Sequence, residues 1–83
     1  MTRNEIIAKL KEILIAADDG NRAAVEACTE ASNLIADLGF SSIAMLYMVI
    51  SVEEAFGVRF DDANMSDLDT LGKVADYIEA KAE

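Results

Sequence analysis

The groups in this chain whose type and position could carry chemistry are a serine pair, Ser41-Ser42, a single cysteine, Cys28, and an Asp/Asn-rich stretch over residues 62–67. They act without histidine, because the chain has none. That removes the Ser-His-Asp and Cys-His arrangements that activate a nucleophile, and every histidine-ligated metal. A serine where a loop meets a helix is ordinarily a cap. The same position has a second use, since free N–H groups and the positive end of the helix dipole favour a phosphate there. Ser42 is therefore placed to carry a phosphoester anion, with the chemistry supplied by a separate enzyme. Cys28 has no neighbouring histidine or lysine in sequence to lower its pKa and reads as a small apolar filler. A calcium loop starting at Asp62 would need glycine at its sixth position and glutamate at its twelfth. Those positions hold Asp67 and Lys73, so capping and turn formation explain the stretch, and no metal site is expected.

The elements that must position Ser42 belong to a short chain of 83 residues with no proline and no tryptophan. One domain, residues 1–83, is expected. At this size only about 60–65% of the unfolded surface is buried, which leaves a thin core and no room for a deep active site. Fourteen alanines and fifteen leucines plus isoleucines against five valines favour helix over sheet. The fold expected is all-α: a small bundle of three main helices, a short helix between the second and the last, and a long first loop. The longest unbroken apolar run, Ile43 to Ile50, is far short of a membrane span, and no N-terminal signal pattern is present. With one cysteine pointing to a reducing compartment, a soluble, cytoplasmic monomer is expected. Seven basic against sixteen acidic side chains give a net charge of −9. That repels nucleic acid and anionic membrane, and suits either solubility or docking onto basic patches of partner proteins.

Thr2 and Glu5 have capping-box spacing, and Ile6, Ile7, Leu10, Ile13, Leu14 and Ala17 follow on one stripe, predicting a helix over 3–17 with a Glu5–Lys9 pair outside. Gly20 suits the left-handed residue after its last turn. Residues 18–40 form the long loop, with a short helix within 22–30, and Leu34, Ile35 and Leu38 are expected to pin it to the core. The second main helix runs from Ser41-Ser42 to Phe56. Met45, Met48, Val49, Val52 and Phe56 lie on its core side, and Ser51, Glu53 and Glu54 on its wet side. The run from Ile43 to Ile50 is apolar all round, whereas so small a domain can cover only one side. An exposed strip of Ile43, Leu46, Tyr47 and Ile50 beside Ser42 is predicted, with Glu53 and Glu54 at its far end, as a partner-docking face. Gly57 closes this helix, and Val58 and Phe60 turn inward. Residues 61–65 are read as a short turn of helix anchored by Met65. A last helix starts at Asp69-Thr70 and runs to about Ala82, with Leu71, Val74, Ala75 and Ile78 inside.

The string from Leu34 to Phe56 resembles the signature region of acyl carrier proteins and peptidyl carrier domains. In that family a D-L-G-x-D-S-L/I motif presents a serine that receives 4′-phosphopantetheine, and Asp37-Leu38-Gly39-Phe40-Ser41-Ser42-Ile43 matches it with Ser42 as the modified residue. The likeness continues through Glu53-Glu54-Ala55-Phe56-Gly57-Val58 and Val74-Ala75-Asp76-Tyr77-Ile78. It implies a carrier that catalyses nothing itself. A phosphopantetheinyl transferase would use coenzyme A and magnesium to load Ser42, and acyl- or aminoacyl-loading and processing enzymes would then meet the cargo, held as a thioester. Where the family sequesters acyl chains between its helices, Met45 and Met48 would suit an adaptable interior. The chain departs from the pattern at Ser41, where fatty-acid carriers often have aspartate, at Ala44 and Tyr47, where they are commonly acidic, and in its longer first loop. These departures imply a specialised member rather than the housekeeping fatty-acid carrier. The alternative is an unmodified carrier-like helical module that docks a partner without an arm.

Overall fold

Thr2 starts the chain's first helix by accepting the Glu5 amide on Oγ1 at 3.2 Å, while the Glu5 carboxylate takes the Thr2 amide at 2.7 Å. This reciprocal box satisfies two donors that a helix start leaves open. In the computed structural model, which describes residues 2–60 and 68–82, four α-helices follow one another. They are α1 (Arg3–Ala17), α2 (Arg22–Ala27), α3 (Ser42–Phe56) and α4 (Leu71–Ala82), with a 3-10 turn over Asp19–Asn21. No strand is present among the described residues, whose one β-bridge joins Asn33 to Thr70. The short helix expected over 61–65, like the stretch 62–67, lies outside the described residues.

The hub is α1, which packs against α2, α3 and α4. Its buried residues are Ile6, Leu10, Ile13 and Leu14, with Ile7 and Ala17 half-buried at the margin. They meet Met45, Met48 and Val52 of α3 and Leu71, Val74, Ala75 and Ile78 of α4 in one apolar cluster. Helical spacing alone puts each set on a single face, and removing those faces from water is the main favourable term in folding. Thr70 caps α4, its Oγ1 accepting the Lys73 amide at 3.1 Å. The segment after α3 is pinned to α4 by the Phe60–Tyr77 ring contact, 4.7 Å between centroids, and by the Tyr77 hydroxyl donating to the Arg59 carbonyl.

The long loop is stitched to the start of α4 by backbone bonds: Leu34 N to Asp69 O, Gly72 N to Glu30 O and Leu71 N to Ser32 O. Arg3 reinforces this seam. Its guanidinium donates to the carboxylates of Glu30, Asp76 and Glu79 and to the Gly72 carbonyl, which holds its pKa above the ordinary arginine value. At the other end of the loop Lys11 donates to the carbonyls of Glu26 and Cys28, capping the end of α2, and Cys28 sits half-buried against the core.

Four expectations change. Gly20 is not left-handed: Asp18 leads from α1 into the 3-10 turn, and the positive-φ residues of the described chain are Gly39 and Gly57. The Glu5–Lys9 pair is not formed, because the cap engages the Glu5 carboxylate. Ile35 does not pin the loop; it is 48% exposed, since the turn made by Asn33 directs Leu34 inward and leaves its neighbour outside. Glu53 is half-buried rather than on the wet side, with its carboxylate accepting the Phe60 amide at 2.9 Å.

Candidate functional site

Ser42 is the first residue of α3, and the preceding turns hold it there. Asn33 Oδ1 accepts the amides of Ile35 and Ala36 at 2.9 and 2.7 Å, and Asp37 Oδ2 accepts the Asn33 amide at 2.7 Å. Leu34 is fully buried inside this turn, and the Phe40 amide returns to its carbonyl at 3.0 Å. Gly39 has φ +74°, the left-handed region where a Cβ is strained, so glycine is what lets the chain reverse before the buried Phe40. Asp37, Gly39 and Phe40 are thus used to aim the next two.

Those two divide their work. Ser41 is the cap: its Oγ accepts the Ala44 amide at 3.1 Å, and its carbonyl accepts the Met45 amide at 2.9 Å. Serine and aspartate cap about equally well, so serine at this position serves the helix as aspartate would. Ser42, relieved of capping, is exposed, and its hydroxyl makes no hydrogen bond among the described residues. The amides of Ser42 and Ile43 are likewise unpaired there, and the first turn of α3 carries no acid. A free hydroxyl therefore stands in solvent beside two open donors at the positive end of a fifteen-residue helix. That arrangement fits a covalent phosphoester, whose anion the donors and the dipole favour.

Alongside lies an exposed apolar strip: Ile43 81% exposed, Leu46 58%, Tyr47 48% and Ile50 50%. Met45, Met48 and Val52 face inward, fully buried. Ala44 is buried, so of the two positions where acids are common in the family only Tyr47 reaches the surface. Past Ile50 the strip ends at an open depression of about 400 Å³ lined by Ile50, Glu53, Glu54, Gly57, Val58 and Arg59. Glu54 is exposed there, whereas Glu53 is partly engaged by Phe60.

A family model described as "Phosphopantetheine attachment site" matches residues 5–78. The chain belongs to the acyl carrier protein family. It is 36% identical over 80 residues to an acyl carrier protein of Thermotoga maritima, covering 96% of this chain and 95% of that one. An acyl carrier protein of Renibacterium salmoninarum is 35% identical over 77 residues, covering 93% and 91%. A meromycolate extension acyl carrier protein of Mycolicibacterium smegmatis is 29% identical over 82 residues, covering 99% and 80%. The carrier reading is favoured over the armless module. This carrier protein serves acyl biosynthesis, and membership implies a covalently attached 4′-phosphopantetheine. Carrier proteins are in general not enzymes, and they interact with biosynthetic enzymes and a phosphopantetheinyl transferase. No helix among the described residues is long and apolar enough to cross a membrane.

The residues that sequence reasoning undervalued are Arg3, Asp37 and Gly39. A cation in the first turn of a helix opposes the dipole, so Arg3 carried a signal: it needs carboxylates from elsewhere, and it has them.

Proposed function

We propose that Ser42 carries the 4′-phosphopantetheine and that residues 1–83 are one carrier domain working as a monomer in the cytoplasm, as a specialised member of its family. The observation that carries the assignment is the division between the two serines: Ser41 is spent on the helix, and the Ser42 hydroxyl is exposed and makes no hydrogen bond among the described residues. Attachment joins Ser42 Oγ to the phosphorus that bears the pantetheine in coenzyme A. It breaks the pyrophosphate link, releases adenosine 3′,5′-bisphosphate and hands the hydroxyl proton to a base on the transferase, since this chain has no histidine to take it. Magnesium in the transferase would offset the charge of the leaving bisphosphate. When bound, the arm supplies a terminal thiol that holds an acyl or aminoacyl group as a thioester. The amides of Ser42 and Ile43 face the site where the phosphate would sit, and the buried Met45 and Met48 give an interior that can adapt to an acyl chain. Ile43, Leu46, Tyr47, Ile50, Glu53 and Glu54 form the face on which loading and processing enzymes dock.

The test is incubation with a broad-specificity phosphopantetheinyl transferase, coenzyme A and magnesium, read by intact mass. Wild type and Ser41→Ala are expected to gain one phosphopantetheinyl group, and Ser42→Ala none. No gain on wild type, or an undiminished gain on Ser42→Ala, defeats the assignment.

A further inference from the structure

The loop that delivers Ser42 is anchored by two kinds of force. Leu34 and Phe40 are buried, and Leu38 packs half-buried against the core. Apolar burial holds a side chain in place without fixing how the backbone beside it is turned. Direction comes from hydrogen bonds. The peptide between Leu38 and Gly39 is held at both of its polar groups: the Gly39 amide donates to the Ile35 carbonyl at 3.0 Å, and the Leu38 carbonyl accepts the side-chain amide of Asn21. That peptide leads directly into the left-handed Gly39, φ +74°, where the chain reverses three residues before Ser42. The Ile35 bond is internal to the loop, whereas the Asn21 bond arrives from the corner after α1, 17 residues away along the chain.

Asn21 forgoes a local use to make this bond. It occupies the N-cap position of α2, where an asparagine oxygen ordinarily accepts an amide of the first turn. Its side chain makes no capping bond to that helix, and the half-buried carboxamide turns to Leu38 instead. The backbone that carries it is fixed as well: the Asn21 backbone amide donates to the Asp18 carbonyl at 3.0 Å, closing the 3-10 turn between α1 and α2. The donor is therefore mounted on the end of α1, the helix against which α3 packs.

We infer that Asn21 is a positioning residue for the modification of Ser42: by donating to the Leu38 carbonyl it fixes the turn at Gly39, and so the place of the Ser42 hydroxyl relative to α1. An attacking group displaced by about 1 Å loses much of its rate, whereas a change at residue 21 leaves the exposed side chains of α3 unaltered. Loss of the donor therefore acts on turnover rather than on binding. The inference rests on Ser42 being the attachment residue.

The test measures kcat and KM for transfer from coenzyme A to the apo protein by a broad-specificity transferase with magnesium. Asn21→Ala and Asn21→Asp remove the donor, the first without and the second with a new charge. Each is expected to lower kcat roughly fivefold, the effect of one ordinary hydrogen bond. KM for the apo protein should stay within about twofold. Asn21→Gln keeps the carboxamide on a longer stem and should bring kcat to within about twofold of wild type. Thr2→Ala is the control: it removes a cap of similar strength at the far end of α1 and is expected to leave kcat unchanged. By hydrogen exchange, the Gly39 amide of Asn21→Ala and Asn21→Asp should exchange about fivefold faster than in wild type. An unmoved kcat in both of these variants, an equal fall in Thr2→Ala, no recovery in Asn21→Gln, or unchanged Gly39 exchange overturns the inference. Absence of transfer to wild type defeats the Ser42 assignment and this inference together. Transfer at Ser42 without the expected kcat pattern defeats this inference alone.

Discussion

Helices α1 and α3 are each fifteen residues long, each starts on a hydroxyl cap, and they pack against one another, yet their first residues are opposites. At the start of α1 stands Arg3, held by three carboxylates and a carbonyl. At the start of α3 stands Ser42, whose hydroxyl makes no hydrogen bond among the described residues. The first turn of α1 has an acid that closes its box, and that of α3 has none. Their outer faces differ in the same sense: α1 shows Asn4, Glu5 and Glu12 to water, and α3 shows Ile43, Leu46, Tyr47 and Ile50. One helix is completed by its own protein and serves as scaffold. The other is left open at its start and along one side. Equal length and a hydroxyl cap at each start do not make equal roles; what remains unbonded sets them apart.

The comparison breaks first at the buried faces. Leu10→Ala in α1 and Met48→Ala in α3 are both expected to cost about 2–5 kcal/mol by urea unfolding, since both side chains are fully buried. Removal of either cap, Thr2→Ala or Ser41→Ala, should cost about 1 kcal/mol, and unequal costs would show that one helix start leans on tertiary contacts more than the other. Arg3→Ala is expected to lose about 1 kcal/mol, less at high salt, because three carboxylates are left facing one another in a partly solvated corner. Ser42→Ala and Leu46→Ala should stay within about 0.5 kcal/mol, and a large loss at either position would mean that the open side of α3 is holding the fold together.

The smallest effect is a pH dependence confined to α1. Bonds from the Thr2 backbone and side chain hold the Glu5 carboxyl below its ordinary value of 4.5. A depressed carboxyl contributes stability that is complete above the unfolded value and is lost as pH falls through the folded one. The stability difference between wild type and Glu5→Gln, measured by urea unfolding, should therefore shrink as pH drops past 4.5 and vanish in stronger acid. A difference that persisted would show that the box is held by shape rather than by charge.

Much of this was legible before any coordinates. Thr2 with Glu5, and apolar residues at helical spacing, predict α1 over its observed span. Hydrophobicity all round from Ile43 to Ile50, in a domain too small to cover both sides, predicts the exposed strip. The motif around Ser42 was readable as a resemblance, but its internal work was not. That Asp37 closes a turn on Asn33, that Gly39 is left-handed and that Ser41 releases Ser42 from capping are facts of loop geometry, which has no period to read. Ile35 was misplaced for the same reason: in a loop, neighbouring apolar residues do not announce which of them turns inward.

Local sequence, then, determined which segments become helices and which of their faces are apolar, because capping and helical periodicity act over a few residues. Only the tertiary structure decided that Arg3 joins α1 to Glu30 and α4, that Ile35 and not Leu34 faces water, and that one hydroxyl of two stays free. The first depends on groups brought together from distant parts of the chain, whose separation no sequence spacing encodes, and the other two on the loop geometry around Asn33 and Ser41, which has no period to read.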